Sequence, residues 1–172
     1  SDSMGMLCLG NIINGLEITG FIFDSNGLTM TDINKTSNHT IVYSPGSNNA
    51  EESEISNVNI NNNVFLANGT IINNSDGGGD HILLINPTKS ENVYIEDNEF
   101  YDWGRWVYSV DLGGNGERFY NYKFNRNKCI QSEKNVMSTG RYRGLGWIDF
   151  EARKCWTNLE VNDNEVSGLV GF

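Results

Sequence analysis

Three carboxylates and three tryptophans are the residues whose types and spacing could do chemistry in this chain. In the segment WIDFE at 147–151, period-two alternation turns Ile148 and Phe150 inward and Trp147, Asp149 and Glu151 outward. Asp149 and Glu151 then lie about 6.5–7 Å apart along one strand face. Aligning the short apolar stretches 82–85, 107–110 and 147–150 by their ends puts Asn86, Asp111 and Glu151 at one place. If such stretches pair as neighbouring strands, those places are about 4.8 Å apart. Carboxyl groups about 5 Å apart suit retaining cleavage of a glycosidic bond, and about 6.5–9.5 Å suits inverting cleavage. Crowded like charges hold one carboxyl protonated near neutral pH, as an acid catalyst requires. Asp111, Asp149 and Glu151 are therefore the candidate catalytic residues.

Trp103, Trp106 and Trp147 could offer flat apolar faces to sugar rings, while Arg105 and Arg153 could bind acidic sugar substituents. Each residue also has a plainer reading. A surface carboxylate solvates, and a tryptophan packs under a loop or against another subunit. Weaker signals lead nowhere further. Asp80-His81 lacks a nucleophile, and SDGGGD at 75–80 lacks the spacing of a calcium loop. Arg141 and Arg143 could stabilise an enolate in eliminative cleavage, but nothing in the sequence brings them to the carboxylates. Cys8, Cys129 and Cys155 show neither CxxC spacing nor an even count, so they read as buried, inert thiols. Four Asn-x-Ser/Thr sequons start at Asn34, Asn38, Asn68 and Asn73, in a chain rich in all three residues. No metal site and no cofactor is expected.

The elements that must position these residues follow from composition and repetition. The chain has 172 residues with 12 basic and 22 acidic side chains, a net charge of −10. That balance argues against nucleic acid or an anionic membrane as partner, since both need clustered Lys and Arg. No apolar run approaches the ~18 residues of a membrane span. Asn is the outlier, with 26 copies. Its side chain competes with the backbone for hydrogen bonds and favours turns, which argues against a helical bundle.

One pattern recurs: Asn, apolar residues at plus one and plus three, Asn at plus six, and an apolar residue at plus eight. The copies are SNVNINNNVF at 56–65, ENVYIEDNEF at 91–100, YNYKFNRNKC at 120–129 and TNLEVNDNEV at 157–166. A degenerate copy, NGLEITGFIF at 14–23, has Gly15 and Phe21 in the two Asn places. The spacing between copies varies from 29 to 42 residues, which implies a fixed rung separated by loops of variable length. Each copy predicts a short strand, a turn at the second Asn, and a further strand. A second strand is expected upstream of each, at 41–44, 82–85, 107–110 and 147–150. Stacked rungs bury one apolar face continuously, and equivalent Asn residues then bond from rung to rung.

This Asn-Val-x-Ile-x-x-Asn-x-Phe rung resembles the right-handed, single-stranded parallel β-helix of the pectate-lyase-like superfamily, an all-β solenoid. The Asn-rich, acidic, loop-decorated form resembles phage tailspike and appendage proteins. On that resemblance, residues 11–172 form the β-helix segment, part of a longer helix, and residues 1–10 are a tag scar or connecting segment. The resemblance implies a homotrimer on a virion tail appendage that binds and hydrolyses a host surface polysaccharide. A non-catalytic structural or receptor-binding segment of such an appendage is the alternative, and a secreted polysaccharide lyase a further one. No family catalytic motif matches residue by residue.

Overall fold

A computed structural model describes residues 7–10, 12–24, 42–44, 54–66, 82–85, 87, 89–103, 107–110, 118–131, 147–150 and 156–168. Among them every regular element is a strand, and every strand pairing is parallel. The strands fall into five repeats of three. The first holds β1 (Leu7–Cys8), β2 (Ile12–Thr19) and β3 (Ile22–Asp24), and the second β4 (Val42–Ser44), β5 (Glu54–Asn61) and β6 (Val64–Leu66). The third holds β7 (Leu83–Ile85), β8 (Lys89–Glu96) and β9 (Glu99–Tyr101). The fourth holds β10 (Tyr108–Val110), β11 (Arg118–Asn125) and β12 (Lys128–Ile130). The fifth holds β13 (Ile148–Phe150), β14 (Trp156–Glu160) and β15 (Glu165–Ser167).

Like strands of successive repeats pair, giving three five-stranded sheets ordered β1-β4-β7-β10-β13, β2-β5-β8-β11-β14 and β3-β6-β9-β12-β15. The expected Asn motif therefore marks the second and third sheets, and the expected upstream strand marks the first. Register follows the motif residue by residue: Leu16, Val58, Val93, Tyr122 and Leu159 align, as do Phe23, Phe65, Phe100, Cys129 and Val166.

The two Asn places do different work. At the first, Asn57, Asn92, Asn121 and Asn158 have φ between 53° and 58°, and Gly15 has φ 83°. Asn enters this left-handed region at lower cost than other side chains, and Gly at none. The conformation interrupts the in-out alternation, so Ile55 and Val58 are both buried although three residues apart. The amides chain outward from the repeats: Asn57 Nδ2 donates to Asn14 Oδ1 (2.8 Å), Asn92 to Asn57 (2.9 Å), Asn121 to Asn92 (2.9 Å) and Asn158 to Asn121 (2.8 Å). An Asn92→Ala chain should be less stable than Asn92→Gly by about 1 kcal/mol, the left-handed penalty of a Cβ, because both lose the same amide. Urea midpoints of the two variants check this.

At the second place Asn63, Asn98 and Asn127 are buried between the second and third sheets, and Asn164 is half-buried. Asn98 Oδ1 accepts from the backbone N–H of Asn63 (3.0 Å), and Asn98 Nδ2 donates to the carbonyl of Ile60 (2.8 Å). Asn127 and Asn164 repeat both bonds toward the preceding repeat. In the first repeat Phe21 stands in this place; only its backbone N–H takes part, donating to Asn63 Oδ1 (3.0 Å).

The core is a column of aromatic rings. Phe23, Phe65 and Phe100 stack at 4.9 Å centroid spacing, nearly parallel. In the fourth repeat Cys129 takes the Phe place, and the column passes to Phe124, 6.0 Å from Phe100. Phe124 itself stands where the earlier repeats carry Ile18, Ile60 and Ile95. A large-for-small exchange between two facing sheets thus keeps the interior filled. Cys129 is fully buried, and burial pushes its thiol up to about 12, as expected of an inert cysteine.

Candidate functional site

The expected carboxylate patch belongs to the first sheet. β10 and β13 pair with Ser109 opposite Asp149 and Val110 opposite Phe150. Asp111 and Glu151 follow these strands directly in sequence but lie outside the described residues, as do Arg105, Trp106 and Arg153. Of the candidates, the structure thus fixes the backbone of Asp149 and the placing of two tryptophans.

Both tryptophans depart from the sequence expectation. Trp103 is 1% exposed and belongs to the core, so its ring presents no face to a sugar. Trp147 was expected to point outward; instead its ring meets the buried Phe124 edge-on at 5.7 Å and packs against the core. The alternation fails because Trp147 stands at a corner, one residue before β13. The equivalent pairs Ile82-Leu83 and Val107-Tyr108 show the same thing, each burying two consecutive side chains. Trp147 O accepts from the N–H groups of both Val107 (2.9 Å) and Tyr108 (3.2 Å), which holds that corner.

The polar cluster that the structure does assemble lies elsewhere, at the corner between the second and third sheets. Arg126 grips Asp97 with two hydrogen bonds, Nε to Oδ1 and Nη2 to Oδ2, both 2.8 Å. Its Nη2 also stands 3.4 Å from Glu96 Oε1. Asn125 Nδ2 donates to Glu96 Oε1 at 3.2 Å and reaches Glu160 Oε2 at 3.5 Å. Lys123 Nζ is 3.5 Å from the same Glu160 oxygen and 5.5 Å from the centre of the Tyr94 ring. On the third sheet Tyr101 donates to Glu99, which raises the phenol to about 12.

This cluster can position a polar ligand. Asp97 is held below the usual carboxylate range, chiefly by the hydrogen bond from Arg126, and so stays ionised near neutral pH. The sequence signal for it was the place just before the second motif Asn, where Asn62, Asp97, Arg126 and Asp163 follow one another with opposite charges adjacent. All four have φ between 53° and 57°.

A depressed carboxylate contributes stability above its unfolded value that is lost as pH falls through the folded value. Asp97→Asn should therefore flatten the acid limb of a pH–stability profile only slightly, because the pair is exposed and screened. The same substitution should matter less still in high salt, measured by thermal midpoint from pH 7 downward.

No known protein family, curated protein or solved structure matches this chain. What the chain can do rests on its own geometry. Among the described residues no group of three His, Cys, Asp or Glu side chains is placed to hold a metal ion. No helix among them is long and apolar enough to cross a membrane.

Proposed function

We propose that this chain is a segment of a right-handed parallel β-helix of the pectate-lyase-like kind, and that it holds a surface polysaccharide against its flank and hydrolyses it. The setting would be a trimeric virion tail appendage. Support for the fold comes from three parallel sheets whose strands recur in one order through five repeats. Support for the activity comes from one observation, the register that sets Asp149 opposite Ser109 and Val110 opposite Phe150. Ile148 and Phe150 pack against the core, and the outer side for position 149 is the expectation of the sequence alternation. Asp111 and Glu151 are the next residues after the paired positions 110 and 150. In this reading one of the three carboxyls is the acid and another the base or nucleophile. Arg105, Arg153 and Trp106 would contact the sugar.

A second reading is favoured by the corner cluster, whose carboxylates Glu96, Asp97 and Glu160 are each engaged by a donor or cation. In that reading the segment binds glycan, or stiffens an appendage, without cleaving it. The test is incubation with capsular, O-antigen and teichoic polymers, following reducing ends and the ultraviolet absorbance of unsaturated uronides. New reducing ends that vanish in Asp149→Asn and Glu151→Gln variants support hydrolysis at this patch. Undiminished cleavage by both variants overturns the assignment. Saturable binding without cleavage favours the second reading.

A further inference from the structure

Asn14 is the one member of the outer amide chain followed by glycine. Asn57, Asn92, Asn121 and Asn158 precede Val58, Val93, Tyr122 and Leu159, whereas Asn14 precedes Gly15. Both residues are exposed, and a Cβ built on Gly15 meets nothing within 4 Å, so the space around this peptide group is open. Among the described residues β2 pairs with β5. Within that pairing Asn14 faces Ser56 and Leu16 faces Val58, while Gly15 itself has no register partner.

The hydrogen-bond chain sets Asn14 apart a second way. Asn57, Asn92 and Asn121 each donate an amide N–H to one neighbour and accept from the other. Among the described residues Asn14 only accepts, through Oδ1 from Asn57 Nδ2 at 2.8 Å. A carboxylate in its place would keep that bond and strengthen it by charge. At any other place in the chain of amides, a carboxylate would lose a donor.

We propose that Asn14-Gly15 is a site of spontaneous deamidation, built where the fold tolerates the product. The backbone nitrogen of Gly15, losing its proton to solvent, attacks Cγ of Asn14. A C–N bond forms, the Cγ–Nδ2 bond breaks, and ammonia leaves, giving a five-membered succinimide. Water then opens either carbonyl, yielding aspartate or isoaspartate at position 14. No oxidant or reductant takes part. The aspartate product carries the net charge from −10 to −11 and leaves the amide chain intact. The isoaspartate product lengthens the main chain in β2 next to Gly15, the residue without a register partner in β5.

The experiment is incubation of the folded full chain in mildly alkaline buffer, with peptide mass spectrometry and isoaspartate detection at each Asn. The expected result is conversion at Asn14, with Asn57, Asn92, Asn121 and Asn158 unchanged. Gly15→Asn, which puts here the residue that the other four repeats carry, should slow conversion about tenfold (about 1.4 kcal/mol of barrier). Asn14→Asp should keep the parent urea midpoint. The proposal fails if Asn14 stays an amide in the folded chain while it converts in urea. It also fails if Gly15→Asn leaves the rate unchanged, or if Asn14→Asp is as destabilising as Asn57→Asp.

Discussion

Asn98→Ala is expected to destabilise the chain by about 4 kcal/mol, because it strips partners from several buried backbone groups at once. Asn98 is 1% exposed. Its Nδ2 donates to the carbonyls of Ile60 (2.8 Å) and Glu96 (2.9 Å), and its Oδ1 accepts from the N–H and the Nδ2 of Asn63 (3.0 and 3.1 Å). The alanine leaves the Ile60 carbonyl and the Asn63 N–H without the partners that this side chain supplied. Each orphaned buried group costs about 1–3 kcal/mol. Asn98→Asp should cost at least as much near neutral pH, since a carboxylate cannot donate to Ile60 and a buried charge adds its own penalty. Part of that loss should return at low pH, where the acid is protonated and regains one donor. By contrast, the half-buried Asn92 should lose far less on truncation. Equilibrium urea unfolding of Asn98→Ala, Asn98→Asp and Asn92→Ala measures all of this. Equal losses at Asn92 and Asn98 would contradict the distinction between the two amide chains.

Phe100→Ala should cost about 3–5 kcal/mol, the usual loss when a fully buried aromatic ring is removed. Phe100 is 0% exposed and touches both halves of the ring column, Phe65 at 4.9 Å and Phe124 at 6.0 Å. It sits where the column changes sheet, so neither neighbour can close the gap without leaving its own stack. The reverse experiment is Cys129→Phe, which restores the motif residue but meets a space already taken by Phe124. Overpacking of that kind costs about 1–3 kcal/mol. Pairing it with Phe124→Ile should recover much of the loss, because the pair would then match the third repeat. If the double variant is no more stable than Cys129→Phe alone, the exchange between sheets is not what fills this core.

Much of this architecture was legible in the sequence because the motif places are stacked positions. Apolar residues at plus one, plus three and plus eight became Val93, Ile95 and Phe100, all buried and in register with their counterparts. The upstream strands appeared within a residue of where they were expected, and the buried Asn bonds run from repeat to repeat as the equivalent motif places implied. Two things were hidden. Period-two reasoning cannot see a left-handed residue inside a strand, so the different backbone of the first Asn place was missed. It also fails at corners, which is why Trp147 turns inward. The candidate site was the least legible part, since Asp111, Glu151, Arg105, Trp106 and Arg153 stand between strands, where no repeated neighbour fixes them. The Arg126–Asp97 pair was missed for a related reason. It depends on which charge follows which from repeat to repeat, and a pattern of apolar and Asn places ignores that.

The most direct test is residue-resolved hydrogen exchange at the backbone amides of Asn63, Asn98 and Asn127. Each N–H is held by the Oδ1 of the Asn in the following repeat, at 3.0, 3.0 and 2.9 Å. If stacked repeats joined by buried Asn side chains hold this protein together, these three amides exchange only with global unfolding, as core strands do. Exchange as fast as an open turn, in a chain that is otherwise folded, would contradict the account.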